Sequence, residues 1–317
     1  MLSKFSKASK DNDLKTKEFL TNNSLELDQV KKQFDIYKSG PQRLECKLCK
    51  SRFSTSLSFV SFDVHYLLCD KCGHLNGQFA DSEGFNNALY VAEDVQYSRG
   101  YEQDFLNRVQ NIYRPKVDFL LEALSKIGIN QQNISGVMDF GCGAGHFLRA
   151  LEDVKIEGKG FEVSPSMARI GNSFLVSNRI EICKLKDLET IFAETSASVI
   201  SLIGVLEHLS DVGATLDAFS RSKARFLYIS VPTLSLSALM QSAFPNVFPR
   251  VLSGGHTHLF TLDSLAWLET RWNLKLVGEW WFGSDFSDLF RSLVVSAELS
   301  QNKDTKSGGG GVPSVFD

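Results

Sequence analysis

Between residues 136 and 232, short apolar runs alternate with segments in which apolar residues recur every three or four positions. The short runs have the length and composition of β-strands, and the periodic segments are typical of amphipathic helices. Their regular alternation indicates an α/β fold, a doubly wound parallel sheet with helices on both faces. We predict strands near residues 137–140, 159–163, 179–184, 197–202 and 225–231.

The regions on either side have patterns of their own. Apolar residues recur at helical spacing over 85–128, and Gly128 predicts a helix end. Residues 234–255 are rich in Phe and Pro and are interpreted as a mobile cover beside a site. Two later runs, 274–281 and 292–297, predict strands.

The chain divides into four parts by composition. The first part is polar with one weak helical pattern, so it is either disordered or a docking helix. The last part is rich in glycine and should be flexible. The predicted parts are a polar segment (1–40), a cysteine module (41–80), a main domain (85–300) and a tail (301–317).

The first predicted strand runs into a glycine-rich turn, Asp139-Phe140-Gly141-Cys142-Gly143-Ala144-Gly145, and a helical pattern follows. Glycine permits the positive φ and close backbone approach of a tight turn, and amides at the start of the next helix face a ligand. The third glycine of the dinucleotide pattern G-x-G-x-x-G would fall at His146, so a pyrophosphate site is disfavoured. Glu162 ends the second strand 23 residues after Asp139, close to the spacing of a carboxylate that binds ribose.

Together with a third segment, Ile203-Gly204-Val205-Leu206-Glu207-His208-Leu209, these motifs resemble class I S-adenosylmethionine-dependent methyltransferases over roughly residues 110–300. The resemblance implies a Rossmann-like, seven-stranded sheet in which the two late strands form a terminal antiparallel pair. It also implies S-adenosylmethionine as cofactor, with its methionine part in the turn and its ribose on the acidic residue. The cofactor-binding residues that we predict are Asp139, Gly141, Cys142, Gly143, Gly145, Glu162, Val163, Asp187, Ile203, Gly204, Tyr97 and Tyr101, although the two tyrosines also suit plain core packing.

Four cysteines form two C-x-x-C pairs, Cys46 with Cys49 and Cys69 with Cys72, with 19 residues between the pairs. Such pairs fit a tetrahedral zinc site with four thiolate ligands, which is closed and therefore structural. Two disulfides, disfavoured in the cytoplasm, or a redox-active pair are the alternatives. We predict a small zinc-ribbon-like module. The arrangement resembles the sugar C-methyltransferases of deoxysugar pathways, whose modules have a longer insert between the cysteine pairs.

Methyl transfer requires an acceptor that is positioned and, for an oxygen or carbon nucleophile, deprotonated. Histidine suits proton transfer near neutral pH. His256 and His258 are candidates because they resemble a segment that relatives place over the acceptor, and their spacing puts both on one side of an extended chain. Either could instead hold the loop to the domain. His208 is a third candidate, with helix capping or cofactor contact as its favoured role.

The composition of the chain limits the kinds of partner that we expect it to bind. A formal net charge of -3 and a pI near 6.1 give no basic field for nucleic acid. No apolar run approaches the roughly 18 residues of a membrane span, and the absence of a signal sequence predicts a cytoplasmic location. We predict methyl transfer to a small-molecule or glycan-linked acceptor, with a sugar of a surface-polysaccharide or secondary-metabolite pathway as first candidate. The alternatives are O-methylation of a quinone or other metabolite, a NAD-linked oxidoreductase and a non-catalytic scaffold.

Overall fold

The computed structural model describes residues 1–6, 22–54, 58–86 and 104–307. Its N-terminal part contains a small antiparallel sheet covered by one long helix. The elements are strand β1 (Leu2–Phe5), helix α1 (Asn23–Lys38), strands β2 (Ser58–Ser61), β3 (Val64–Leu68) and β4 (Leu75–Gly77), and the one-turn helix α2 (Glu83–Asn86).

Helix α1 docks on this sheet. Its residues Val30, Phe34 and Tyr37 recur at helical spacing, and all three are buried. They share a core with Val64 and Tyr66 of β3. Of the two alternatives for the polar N-terminal segment, the structure therefore shows the docking helix over its described second half.

All five strands predicted between residues 136 and 232 are present. The elements of this region are α3 (Phe105–Arg108), a π-helical turn (Val109–Tyr113), α4 (Arg114–Ser125), β5 (Val137–Phe140), α5 (His146–Asp153), β6 (Gly158–Glu162), α6 (Pro165–Phe174), β7 (Arg179–Ile182), α7 (Leu188–Glu194), β8 (Val199–Ile203), α8 (Val212–Arg221) and β9 (Phe226–Ser230). The strands pair in parallel in the order β7-β6-β5-β8-β9. The predicted α/β Rossmann-like fold is confirmed.

Alternate residues of the central strands face two separate cores, as the period of two in a strand requires. Val137 and Val199 pack with the helices from α3 to α6. Met138 and Ile200 pack with α7 and α8 on the opposite face. The second core also includes Cys46 and the other buried cysteines of the module, so the N-terminal module covers part of this face.

The C-terminal part differs from the prediction. Its elements are α9 (Leu236–Met240), β10 (His258–Leu259), α10 (Leu262–Arg271), β11 (Gly278–Trp281) and α11 (Asp285–Ser307). The predicted strand over 292–297 is wrong because these residues lie within α11, and β11 pairs in parallel with β1. In the described part of the chain the main sheet thus has five strands and not seven. A short apolar run does not distinguish strand from helix, and burial here recurs at helical spacing at Asp288, Arg291, Ser292 and Val295.

The predicted cover over 234–255 packs against its surroundings. It contains α9 and three buried residues, Val247, Phe248 and Leu252. The chain that follows contributes β10 to the N-terminal sheet, whose order is β10-β4-β3-β2. Within the described residues, every helix is too short or too polar to span a bilayer.

Candidate functional site

The glycine turn joins β5 to α5 at the carboxyl end of the central strand. Gly141 has a φ of +67, and a Cβ added to it would lie 2.6 Å from Cγ2 of Val205. The turn is therefore in direct contact with the segment that follows β8. Gly143 has a φ of +55, but an added Cβ would find no atom nearer than Cε of Met167 at 3.9 Å. Gly145 begins α5 in the left-handed conformation. The turn is closed toward β8 and open at Gly143.

Glu162 ends β6 and accepts three backbone hydrogen bonds. Its Oε2 accepts from the amide of Gly143 at 2.7 Å, and its Oε1 accepts from the amides of Val163 and Ser164 at 2.8 and 2.9 Å. Burial raises the pKa of Glu162, and these amides oppose the shift. The carboxylate has about four lone-pair sites, and the three amides leave one of them, on Oε2, free to accept from a ribose hydroxyl. A buried carboxylate beside an open turn is an arrangement that can bind a ribose hydroxyl.

Asp139 and Cys142 connect the turn to its neighbouring strands. Asp139 is buried in β5, where Oγ of Ser201 in β8 donates to its Oδ1 at 2.6 Å. Burial raises the pKa of Asp139 to about 7, the bond from Ser201 opposes the shift, and the nearby Glu162 adds to it. The sulfur of Cys142 faces Gly160 of β6, where an added Cβ would lie 2.7 Å from it. The side chains of Asp139 and Cys142 therefore fix the turn against the neighbouring strands β8 and β6.

The remaining predicted cofactor residues that the structure describes lie along the same edge of the sheet. Ile203 ends β8, and Gly204 follows it with a φ of +69. Asp187 lies in a short turn after β7, where its Oδ2 accepts from the amide of Lys184 at 3.0 Å. The two predicted tyrosines, Tyr97 and Tyr101, lie outside the described residues.

A carboxylate and two imidazoles meet where β8 ends. Glu207, His208 and His256 each offer a ligand atom, and these atoms all lie within 4.8 Å of one another. The two rings lie 4.9 Å apart between centroids. Nδ1 of His256 donates to the carbonyl of Val251 at 2.6 Å, and Nδ1 of His208 lies 3.3 Å from the carbonyl of Gly255. The segments after β8 and before β10 therefore form one polar cluster.

Burial shifts the pKa values of all three side chains in this cluster. It raises the pKa of Glu207 to about 8 and lowers that of His208 to about 3, with His256 adding to the second shift. It also lowers the pKa of His256. One carboxylate oxygen of Glu207, Oε2, is buried and has no hydrogen-bond partner among the described residues. Neutral imidazoles beside an incompletely paired carboxylate suit the binding of a proton or a cation.

His258 has a different environment from His256. It is fully buried in β10, and its Nδ1 lies 2.7 Å from Nε2 of His74 in the module. Burial lowers the pKa of His258 well below its usual value. The sequence analysis placed the two histidines on one side of an extended segment, but the structure gives each its own partner. His208, not His258, is the neighbour of His256.

The four cysteines come together in the N-terminal module. Sγ of Cys46 lies 3.6 Å from Sγ of Cys72, and Sγ of Cys49 lies 3.5 Å from Sγ of Cys69. All four sulfurs lie within 4.8 Å of one another. Tetrahedral zinc–sulfur bonds of about 2.3 Å place sulfurs about 3.8 Å apart, whereas a disulfide requires about 2.05 Å. The cluster fits a zinc module and none of its members forms a disulfide.

A buried ion pair behind the cysteines was not predicted from the sequence. Nζ of Lys47 contacts Oδ2 of Asp81, and Nη2 of Arg43 lies 3.2 Å from Oδ1 of the same carboxylate. Nζ of Lys47 also donates to Oγ1 of Thr257 at 3.2 Å. Burial lowers the pKa of Lys47 to about 8. The sequence signal that could have indicated its burial is the position of Lys47 between two predicted metal ligands, Cys46 and Cys49.

Comparisons with known proteins agree with this architecture. A family described as "Methyltransferase domain" matches residues 105–279, which is more than half of the chain. No curated protein matches the sequence.

Several solved structures resemble part of the fold. A plantazolicin methyltransferase in complex with SAH has 13% identity and a TM-score of 0.46, over 68% of this chain and 88% of that chain. Magnesium protoporphyrin IX methyltransferase from Synechocystis has 15% identity and a TM-score of 0.39, over 61% and 84%. The complex between the Haloferax volcanii Trm112 methyltransferase activator and the putative methyltransferase has 17% identity and a TM-score of 0.39, over 57% and 76%.

Proposed function

Because the chain belongs to the methyltransferase domain family and is an S-adenosylmethionine-dependent methyltransferase, we propose that it methylates a small-molecule or glycan-linked acceptor bound beside Glu207, His208 and His256. One observation carries this proposal. Val205 leaves no space for a side chain at Gly141, so the glycine turn and the polar cluster are adjacent at one edge of the sheet. A donor in the turn and an acceptor at the cluster would then be neighbours.

The donor side consists of the turn and Glu162. S-adenosylmethionine supplies a methyl group on a positively charged sulfur. The space at Gly143 admits a ligand close to the backbone, and Oε2 of the buried Glu162 carboxylate accepts a hydrogen bond from a ribose hydroxyl. Asp139 holds the turn through its hydrogen bond with Ser201 and has no exposed surface to offer the ligand.

The acceptor side consists of the cluster at the end of β8. His256 is half-buried, so a bound acceptor can reach its ring, whereas His258 is enclosed by His74 and the surrounding core. The side chains of Glu207 and His208 complete a polar patch that orients a hydroxyl group and favours its loss of a proton. His258 is assigned to the architecture of the segment.

The zinc-ribbon-like module ahead of the domain is the feature shared with sugar C-methyltransferases, and it makes a sugar the first acceptor to test. Family membership favours methyl transfer over the NAD-linked oxidoreductase and the scaffold considered from the sequence. Calorimetry with S-adenosylhomocysteine and NAD side by side provides the test of the donor site. We expect binding of the first and none of the second, and the opposite result would overturn the proposal.

The acceptor class is tested with S-adenosylmethionine labelled in its methyl group. A deoxysugar nucleotide, a quinone precursor and a control protein substrate are offered in parallel. We expect label in a small-molecule acceptor, and about a hundredfold or greater loss of turnover in His256→Asn. The exposed His65 of β3 provides the matched control, His65→Asn, which should keep full activity. Transfer to protein alone would overturn the proposed acceptor class.

A further inference from the structure

The cluster at the end of β8 has an unusual buried member. Glu207 is 4% exposed, and within the described part of the chain its buried Oε2 has no hydrogen-bond partner. A buried carboxylate oxygen in this state is costly unless a ligand completes its environment. Ligand atoms of His208 and His256 lie within 4.8 Å of those of this residue and of each other. That separation allows one ion to contact all three side chains.

The hydrogen bonds of the two imidazoles match those of metal-binding histidines. Nδ1 of His256 donates to the Val251 carbonyl, so in the neutral ring the lone pair is on Nε2. Nδ1 of His208 faces the Gly255 carbonyl. A backbone carbonyl on one ring nitrogen is the usual device that orients a metal-binding histidine and fixes its tautomer. The cluster thus combines oriented imidazoles with a carboxylate oxygen, Oε2 of Glu207, that has no hydrogen-bond partner among the described residues.

We propose that Glu207, His208 and His256 bind a divalent metal ion, separate from the zinc of the four cysteines, and that this ion binds an oxygen of the methyl acceptor. Imidazole and carboxylate ligands together favour first-row ions such as Mn²⁺, Fe²⁺ or Zn²⁺, whereas four thiolates select zinc. Three protein ligands leave coordination positions open, which distinguishes this site from the closed cysteine site.

The role of the ion in catalysis rests on the proposed function, whereas the metal site itself does not. An acceptor with two neighbouring oxygens, such as a vicinal diol or catechol, can occupy two open positions. The bound hydroxyl releases its proton to water, since contact with a cation lowers its pKa. Its oxygen then forms a bond to the methyl carbon while the carbon–sulfur bond breaks, and the electron pair stays on sulfur to give S-adenosylhomocysteine. The acceptor class is therefore an oxygen nucleophile with an adjacent oxygen.

Metal binding is tested on the zinc-loaded chain of 317 residues without any acceptor. Mn²⁺ is the probe, because thiolates bind it poorly and electron paramagnetic resonance detects its free form. We expect about one Mn²⁺ per chain, with affinity at least about tenfold weaker in Glu207→Gln and His256→Gln. His65→Gln is the matched control and should bind as the wild type does. If zinc already fills both sites, elemental analysis should find two zinc ions per chain and one in Glu207→Gln.

The test uses two variants because Glu207 is buried, whereas His256 is half-buried, so we expect His256→Gln to fold even if Glu207→Gln does not. A wild-type protein that contains one zinc ion and takes up no Mn²⁺ would overturn the proposal. Mn²⁺ affinity equal to that of the wild type in both variants would overturn it as well. Calorimetry with S-adenosylhomocysteine distinguishes failure of the metal-site proposal from failure of the proposed function. Intact cofactor binding and methyl transfer without a second metal would leave the proposed function standing and remove the metal site.

Discussion

Nε2 of His74 lies 2.7 Å from Nδ1 of His258, and this hydrogen bond joins the N-terminal module to the methyltransferase domain. Both rings are fully buried. The pairing of β4 with β10 and the hydrogen bond from Lys47 to Thr257 cross the same boundary. The segment that carries His256 is therefore held by the module that the four cysteines organise. We therefore expect that loss of zinc from those cysteines lowers the rate of methyl transfer.

The first prediction concerns Cys69→Ser. The protein should lose one zinc per chain, and its midpoint of thermal unfolding should fall by at least about 5 °C, because a structural zinc site contributes directly to folding. Methyl transfer should fall much more than the affinity for S-adenosylhomocysteine, since the cofactor turn and Glu162 belong to β5 and β6. Elemental analysis, thermal unfolding and calorimetry measure the three quantities.

Cys183→Ser provides the matched control, because Cys183 follows β7 and is not part of the four-cysteine cluster. It should keep its metal and its stability. Unchanged zinc content in Cys69→Ser would contradict the assignment of the cysteine site. An equal loss of cofactor affinity and methyl transfer would contradict the separate roles of the two sides.

The second prediction concerns Glu162→Gln. The change removes a charged acceptor of ribose hydrogen bonds, which are worth about 1.5–3 kcal/mol each. The dissociation constant of S-adenosylhomocysteine should therefore rise by about tenfold or more. Glu181→Gln on the neighbouring strand is the control, because Glu181 is exposed and pairs with Lys159 at 2.9 Å. Equal affinities of the two variants, measured by calorimetry, would remove Glu162 from the ribose site.

The sequence was sufficient to predict the elements that depend on residues close together along the chain. The five sheet strands follow from apolar runs with turn residues between them, and the turn around Gly141 follows from the need for positive φ. The environment of His258 could not be predicted, because its partner His74 lies 184 positions away. Strand β10 has two residues, too few to show a period. Helix α11 was missed over 292–297 because its buried face carries Asp288 and Arg291 in addition to apolar residues.

A third prediction concerns the pH dependence of stability. The pKa of Asp139 is about 7 in the folded protein against an ordinary value of 3.8. Between these values the unfolded chain has lost a proton that the folded chain keeps, so the free energy of unfolding falls as the pH rises and levels off above pH 7. Asp139→Asn should remove this part of the slope, about 2–3 kcal/mol between pH 5 and pH 8. Urea unfolding of both proteins at the two pH values measures the difference.

Asp118→Asn is the control for this measurement, because the carboxylate of Asp118 is largely exposed and pairs with Arg114 one helical turn away. Its pH dependence should match that of the wild type. If Asp139→Asn keeps the full slope of the wild type between pH 5 and pH 8, the raised pKa of Asp139 is wrong.

A fourth prediction concerns the buried ion pair behind the cysteines. Asp81→Asn leaves the cations of Lys47 and Arg43 buried without their carboxylate, and loss of one partner of a buried pair typically costs about 3–5 kcal/mol. Asp63→Asn is the same substitution at an exposed carboxylate, which pairs with Lys38 at 3.9 Å, and should cost less than about 1 kcal/mol. Urea unfolding at neutral pH measures the free energy of unfolding of both variants. An equal loss of stability in the two would show that the buried pair stabilises the protein no more than the exposed pair does.

The three amides on Glu162 have a further consequence for ligand binding. Since the carboxylate already accepts from the amide of Gly143, the glycine turn is held in one conformation before any ligand arrives. Association then pays little to order the turn, and a preorganised site of this kind binds with less entropic loss. Glu162 thus stabilises the turn in addition to its proposed contact with the ribose. Its replacement should therefore slow association as well as speed dissociation, a kinetic signature that loss of a contact alone would not produce.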